Sequence, residues 1–157
     1  MKRYTICTLL YLSVLFSLSA LEWPTDTAQF LRLFGQCIGE HTFEQGIAFE
    51  NAETVRAADN GTLLVALTAR NGQGMFPSTL GNALVLLHND GLQTIYGNLE
   101  SATSFGNRVA TESNSVIGRT GNSGWGTPHT LLFQVYDSER NVYINPLLLL
   151  PAVTDKT

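Results

Sequence analysis

Along most of the chain, from Phe34 onward, apolar positions come in short runs broken by glycine, asparagine and aspartate. Runs of this length, rich in valine, leucine and isoleucine, read as β-strands. The pattern predicts strands over residues 46–50, 54–57, 63–68, 82–88, 92–96, 115–119, 130–136 and 142–144. Asn89-Asp90-Gly91 is a strong hairpin signal between two of them. Residues 137–141 form a polar turn before the last strand. Residues 70–80, with two glycines and a proline, are the longest irregular stretch and read as a surface loop. One weak helical signal lies in residues 21–33, where Thr25 or Asp26 can cap a turn ahead of Ala28, Phe30, Leu31 and Leu33. The expected fold is all-β: one antiparallel sandwich or barrel-like domain behind a short helical or extended N-terminal segment. There is no internal repeat and no low-complexity segment.

The first twenty residues differ from the rest. Lys2 and Arg3 precede an apolar, acid-free run from residue 4 to 18, and Ser17-Leu18-Ser19-Ala20 offers small residues for cleavage. This is the layout of a secretory signal peptide, with an uncleaved anchor as the alternative. The expected division is a signal peptide over 1–20, an extension over 21–33, the domain over 34–151 and a tail over 152–157. Export places the chain in the periplasm or cell envelope, touching the membrane only through an uncleaved signal segment. Without Lys2 and Arg3, seven basic residues face thirteen acidic ones. An acidic exported domain is a poor partner for nucleic acid or anionic lipid. Cys37 would be the single remaining cysteine, with no internal disulfide, and reads as a small buried apolar residue.

Several short motifs occur in a fixed order. They are Phe34-Gly35, Phe43-Glu44-Gln45-Gly46-Ile47-Ala48, Val55-Arg56-Ala57-Ala58-Asp59-Asn60-Gly61 and Gly81-Asn82 followed by His88-Asn89-Asp90-Gly91. Then come Thr94-Ile95-Tyr96-Gly97-Asn98-Leu99, the segment from Gly121 through Pro128-His129-Thr130-Leu131-Leu132-Phe133-Gln134-Val135, and Asn145-Pro146-Leu147. In order and spacing this series resembles the LytM/lysostaphin-type zinc endopeptidases of peptidoglycan. The closing segment is similar to their G-x-T-G-x-S-x-G-P-H-L-H-F-E-V. The resemblance covers most of the chain after the signal segment.

What the resemblance implies about chemistry is a loss. Those enzymes hold zinc with the histidine and aspartate of H-x-G-x-D and the second histidine of H-x-H. The matching positions here are Glu44, Ala48 and Leu132. Two assisting histidines fall on Asn98 and Thr130. A catalytic zinc needs three protein ligands and a water, and alanine and leucine cannot ligate. The chain's histidines are His41, His88 and His129. His88 matches a structural histidine of the hairpin, His41 precedes the first family strand, and His129 lies one residue from the catalytic position, on the opposite strand face.

No cofactor is expected, and zinc least of all. The old groove would be lined by Glu44, Asn98, Thr130, Leu132 and Gln134, with Trp125 beside it as a stacking or anchoring aromatic. The expected function is a non-catalytic regulator, scaffold or binder in cell-wall remodelling, one that can activate a wall hydrolase. Its partner is a cell-wall hydrolase or another envelope protein, with peptidoglycan itself as a further candidate. The alternatives are an active zinc endopeptidase with non-standard ligands and a plain peptidoglycan-binding module. The glucose-specific phosphocarrier domain shares this β architecture, but it works in the cytoplasm through a histidine that the groove here lacks.

Overall fold

A computed structural model describes residues 21–67, 79–101, 108–124 and 126–152. The expected signal segment, Trp125, most of the irregular stretch 70–80 and all but Ala152 of the tail 152–157 lie outside the described residues. The described strands are β1 (Phe30–Arg32), β2 (Cys37–Gly39), β3 (Thr42–Phe43), β4 (Ile47–Phe49), β5 (Thr54–Arg56) and β6 (Gly61–Leu67). They continue with β7 (Asn82–His88), β8 (Leu92–Leu99), β9 (Ala110–Thr111), β10 (Val116–Arg119), β11 (Leu131–Asp137) and β12 (Val142–Ile144). A 3-10 turn, Pro146–Leu148, follows.

The main sheet runs β1-β4-β11-β8-β7-β6-β9, and β12 also pairs with β11. Its pairs are all antiparallel. Two small ribbons, β5–β10 and β2–β3, lie off it. Every strand expected from the pattern is present, with ends displaced by a few residues at most. The hairpin at Asn89-Asp90-Gly91 closes as expected, with Gly91 in the left-handed region at φ 84°.

Strand alternation divides the main sheet into two faces. Leu131, Phe133 and Val135 of β11, with Ile47 and Phe49 of β4, join one core cluster. Tyr96, Leu84, Leu86 and Leu99 belong to it too, and Val55 and Ile117 bring the β5–β10 ribbon into the same cluster. The intervening residues, Ala48, Leu132 and Gln134, are buried without joining that core and belong to the opposite face.

The helical signal in residues 21–33 is not realised. That segment is extended and ends in β1, which pairs with β4 through Phe30↔Phe49 and Arg32↔Ala48. Trp23, Phe30 and Phe49 form an aromatic cluster, with ring centroids of Trp23 and Phe49 6.1 Å apart. Leu21 is buried, and its N–H donates to the Leu149 carbonyl. An isolated helix this short is marginal in water. Packing against Phe49 and pairing with the open edge of β4 therefore win. Cys37 is likewise not the buried apolar residue expected: it is exposed on β2, its thiol donating to the Gly39 carbonyl at 3.1 Å.

Two polar devices hold the sheet's interior and its closing loop. Below the core, the His88 ring bridges the Asn60 carbonyl oxygen (2.8 Å) and Thr94 Oγ1 (2.7 Å). Thr94 Oγ1 in turn donates to Tyr96 Oη, which also accepts from the Ala58 N–H at 2.8 Å. His88 therefore has the structural part that the resemblance assigns to it. At the end of β8, Asn98 takes a left-handed conformation, φ 62°. Its side-chain amide donates to the carbonyls of Thr130 (2.8 Å), Thr127 (3.0 Å) and Gly121 (3.3 Å). Its Oδ1 accepts from the Gly124 N–H at 3.0 Å. One buried side chain thus fastens the loop that leads into β11. A Cβ at Gly126 would stand 2.8 Å from Asn98 Nδ2, so only glycine lets the loop come this close.

Two outcomes are expected from these devices. Asn98→Ala leaves several buried groups without partners and should cost about 2–4 kcal/mol in chemical denaturation. A loss of a few tenths would show that the loop does not depend on this amide. Burial pushes the Tyr96 phenol up to about 12, against hydrogen bonds from Thr94 and Ala58 that pull it down. An unfolded tyrosine titrates near about 10. The folded state thus keeps its proton to higher pH. Stability is fully present below about pH 10 and falls as pH rises toward 12, by roughly 3 kcal/mol. Tyr96→Phe should lower stability near neutral pH by about 1–3 kcal/mol and flatten that alkaline decline.

Candidate functional site

The non-core face of the main sheet, with β2–β3 beside it, encloses a cavity of about 650 Å³. Leu132 and Gln134 of β11 line it from the sheet. Glu44 and Gln45 enter from the turn before β4, Arg32 from β1, and Thr79 and Leu80 from the stretch before β7. The β2–β3 ribbon adds Cys37, Ile38, Thr42 and Phe43, with His41 at its turn. That ribbon carried no turn signature, yet it closes through a two-residue Glu40-His41 connection with His41 at φ 65°.

Local sequence explains the packing at the floor. Gly46 lies so near β11 that a Cβ there would sit 2.2 Å from the Phe133 carbonyl oxygen and 2.6 Å from Gln134 Cγ. A side chain would force β4 and β11 apart. With glycine there, Ala48 pairs directly with Leu132, and Leu132 pairs on its other side with Gly97.

The positions that resemble zinc ligands do converge here, but not with ligand chemistry. Ala48 and Leu132 are neighbours across the β4–β11 ladder and bring only apolar groups. The Glu44 carboxylate is nearly buried, and Arg32 Nε donates to it at 2.9 Å. Arg32 itself stands opposite Ala48 in the β1–β4 register. A catalytic zinc requires three protein ligands of nitrogen, oxygen or sulfur. One carboxylate already held by a guanidinium, with an alanine and a leucine at the other two positions, does not fit that requirement. Among the described residues, no group of three or more histidine, cysteine, aspartate or glutamate side chains could hold a metal ion.

Of the residues singled out in the sequence, Glu44, Leu132 and Gln134 meet in the cavity. Asn98 and Thr130 do not line it; both are fully enclosed. Asn98 is occupied with the closing loop, and Thr130 Oγ1 bonds Thr127 Oγ1 at 2.6 Å. Trp125 lies outside the described residues. His129 is exposed and belongs to a separate hollow of about 410 Å³, with Glu53, Glu100 and Arg119. Of the three histidines, only His41 reaches the cavity.

Arg32 was not among the candidates, because its segment read as an extension before the domain. A signal was present: it is a single charge within the apolar run Phe30-Leu31-Arg32-Leu33. Ile38 and Phe43 were missed too. Both are exposed large apolar side chains, 47% and 59%, on the ribbon beside the cavity.

The profile of Peptidase family M23 matches residues 42–146. An uncharacterized protein of Treponema pallidum (strain Nichols) is 40% identical over 126 residues, covering 74% of this chain and 86% of that protein. A zinc containing peptidase from Vibrio cholerae has a similar fold, with a TM-score of 0.67 and 24% identity over 84% of this chain. The chain spans only 41% of that peptidase's length. The SpoIIQ–SpoIIIAH pore forming complex contains another similar fold, with a TM-score of 0.66 and 20% identity, covering 88% of this chain and all of that one. At these identities the two structures share the fold alone. The profile covers about two thirds of the sequence and spans both strands that carry the ligand-equivalent positions, β4 and β11: the chain belongs to peptidase family M23.

Proposed function

We propose that this chain is an exported, non-catalytic member of family M23 that works by binding. Its role would be that of a regulator or scaffold in cell-wall remodelling, with a wall hydrolase or another envelope protein as partner. The observation that carries this reading is the pairing of Ala48 with Leu132 where the family's ligands would meet. The one carboxylate left, Glu44, is engaged by Arg32. A site of this kind has no Lewis acid to polarise a carbonyl and no metal to lower the pKa of a water. The likeness to SpoIIQ in its complex with SpoIIIAH supports a binding role for such a domain. Lys2, Arg3 and the apolar run behind them support export.

Metal content tests the reading. The purified chain should carry no stoichiometric zinc by elemental analysis. A chelator should leave its melting temperature unchanged, since a tightly bound metal would raise that temperature by mass action. One firmly held zinc per chain would defeat the proposal. N-terminal sequencing of the protein from its native envelope should begin close to Leu21. An intact Met1 there would leave only the anchored form.

A further inference from the structure

The cavity beside Arg32 has unused hydrogen-bonding capacity of a particular kind. Arg32 spends Nε on Glu44 at 2.9 Å, and its side chain is 25% exposed. Its terminal guanidinium nitrogens have no hydrogen-bond partner among the described residues, and the residue lines the cavity. Gln134 also lines the cavity and is only 8% exposed, yet its side-chain amide has no protein partner among the described residues. Among the described residues no buried side-chain nitrogen or oxygen lacks a partner, so the Gln134 amide keeps accessible surface and is free to meet a ligand. The cavity therefore offers a planar pair of charged donors next to an amide that both donates and accepts. Apolar surface from Leu132, Leu80, Ile38 and Phe43 surrounds them.

We propose that this cavity binds a short peptide by its free C-terminal carboxylate, with Arg32 as the anchor and Gln134 reading the adjoining peptide group. It rests on the non-catalytic reading of the same groove. A carboxylate matches the outer edge of a guanidinium through two parallel hydrogen bonds. Glu44 already occupies Nε, so the guanidinium bridges two carboxylates from different sides. A singly charged ligand group suits that arrangement, whereas a phosphate dianion would meet stronger repulsion from Glu44. The donor and acceptor of Gln134 complement the C=O and N–H of a peptide bond. Leu132 and Leu80 suit a small apolar side chain next to the carboxylate. A volume of about 650 Å³ accommodates a peptide of two or three residues. In this site the Arg32 cation, opposite Ala48, fixes an oxygen ligand without activating it.

The test is an NMR titration of the isotopically labelled full chain with N-acetyl-alanyl-alanine and with its C-terminal amide. The free acid should shift the signals of Leu80, Leu132 and Gln134, with a Kd of about 1 mM or tighter, and the amide should bind at least about tenfold more weakly. The L,L and D,D isomers separate a protein C-terminus from a cell-wall stem peptide as the source, and preference for either supports the proposal. Arg32→Lys keeps the charge but loses the fork, and should weaken the acid about tenfold while leaving the amide unchanged. Gln134→Leu should weaken acid and amide alike. The contrast between acid and amide is read on the unaltered chain, so it survives any variant that fails to fold. Equal binding of acid and amide, no shift at about 10 mM, or shifts confined to the hollow around His129 would overturn the proposal. Cleavage of the acid, by contrast, would defeat the non-catalytic reading itself.

Discussion

The structure depends on β11 being paired along both edges, with β8 on one side and β4 followed by β12 on the other. A strand held this way cannot slip by one residue without exchanging its two faces. Leu131, Phe133 and Val135 are thereby committed to the core, and Leu132 and Gln134 to the opposite face. The same register sets Ala48 against Leu132 and, one strand further, Arg32 against Ala48. The composition of the groove is therefore a direct consequence of the ladder that builds the core.

The scaffold is that of the family, while the groove carries side chains that do not match its ligand pattern. Where the resemblance predicts three metal ligands, the chain has an alanine, a leucine and a glutamate paired to arginine. Removing a metal from a buried site would leave any surviving carboxylate uncompensated, which is costly. Arg32 supplies the compensating charge from the neighbouring strand. The assisting positions have changed in a different way. Asn98 and Thr130 do not line the groove and instead hold the loop between β10 and β11.

Much of this was legible in the sequence, and the gaps have physical causes. Strands 82–88 and 130–136 announced themselves because one face or both are apolar over a full run. β2, β3 and β9 span only two or three residues each and are held by partners, so no periodicity could reveal them. β1 was hidden because its strand character comes from the open edge of β4 and from Phe49, which lie far along the chain. Motif order sufficed to bring Glu44, Leu132 and Gln134 to one place. It could not show that Asn98 would be fully enclosed, since that follows from four hydrogen bonds to a loop whose path no local pattern encodes. Nor could it bring Arg32 into the site, because that contact depends on β1 adding to the sheet.

The central claim is that this family member binds without cutting. It is tested most directly by incubating the purified chain with isolated peptidoglycan sacculi and excess zinc, then measuring soluble fragments by mass spectrometry. The account predicts no fragments above a protein-free control at any zinc concentration. Release of fragments that depends on the chain and stops on adding a chelator would contradict it.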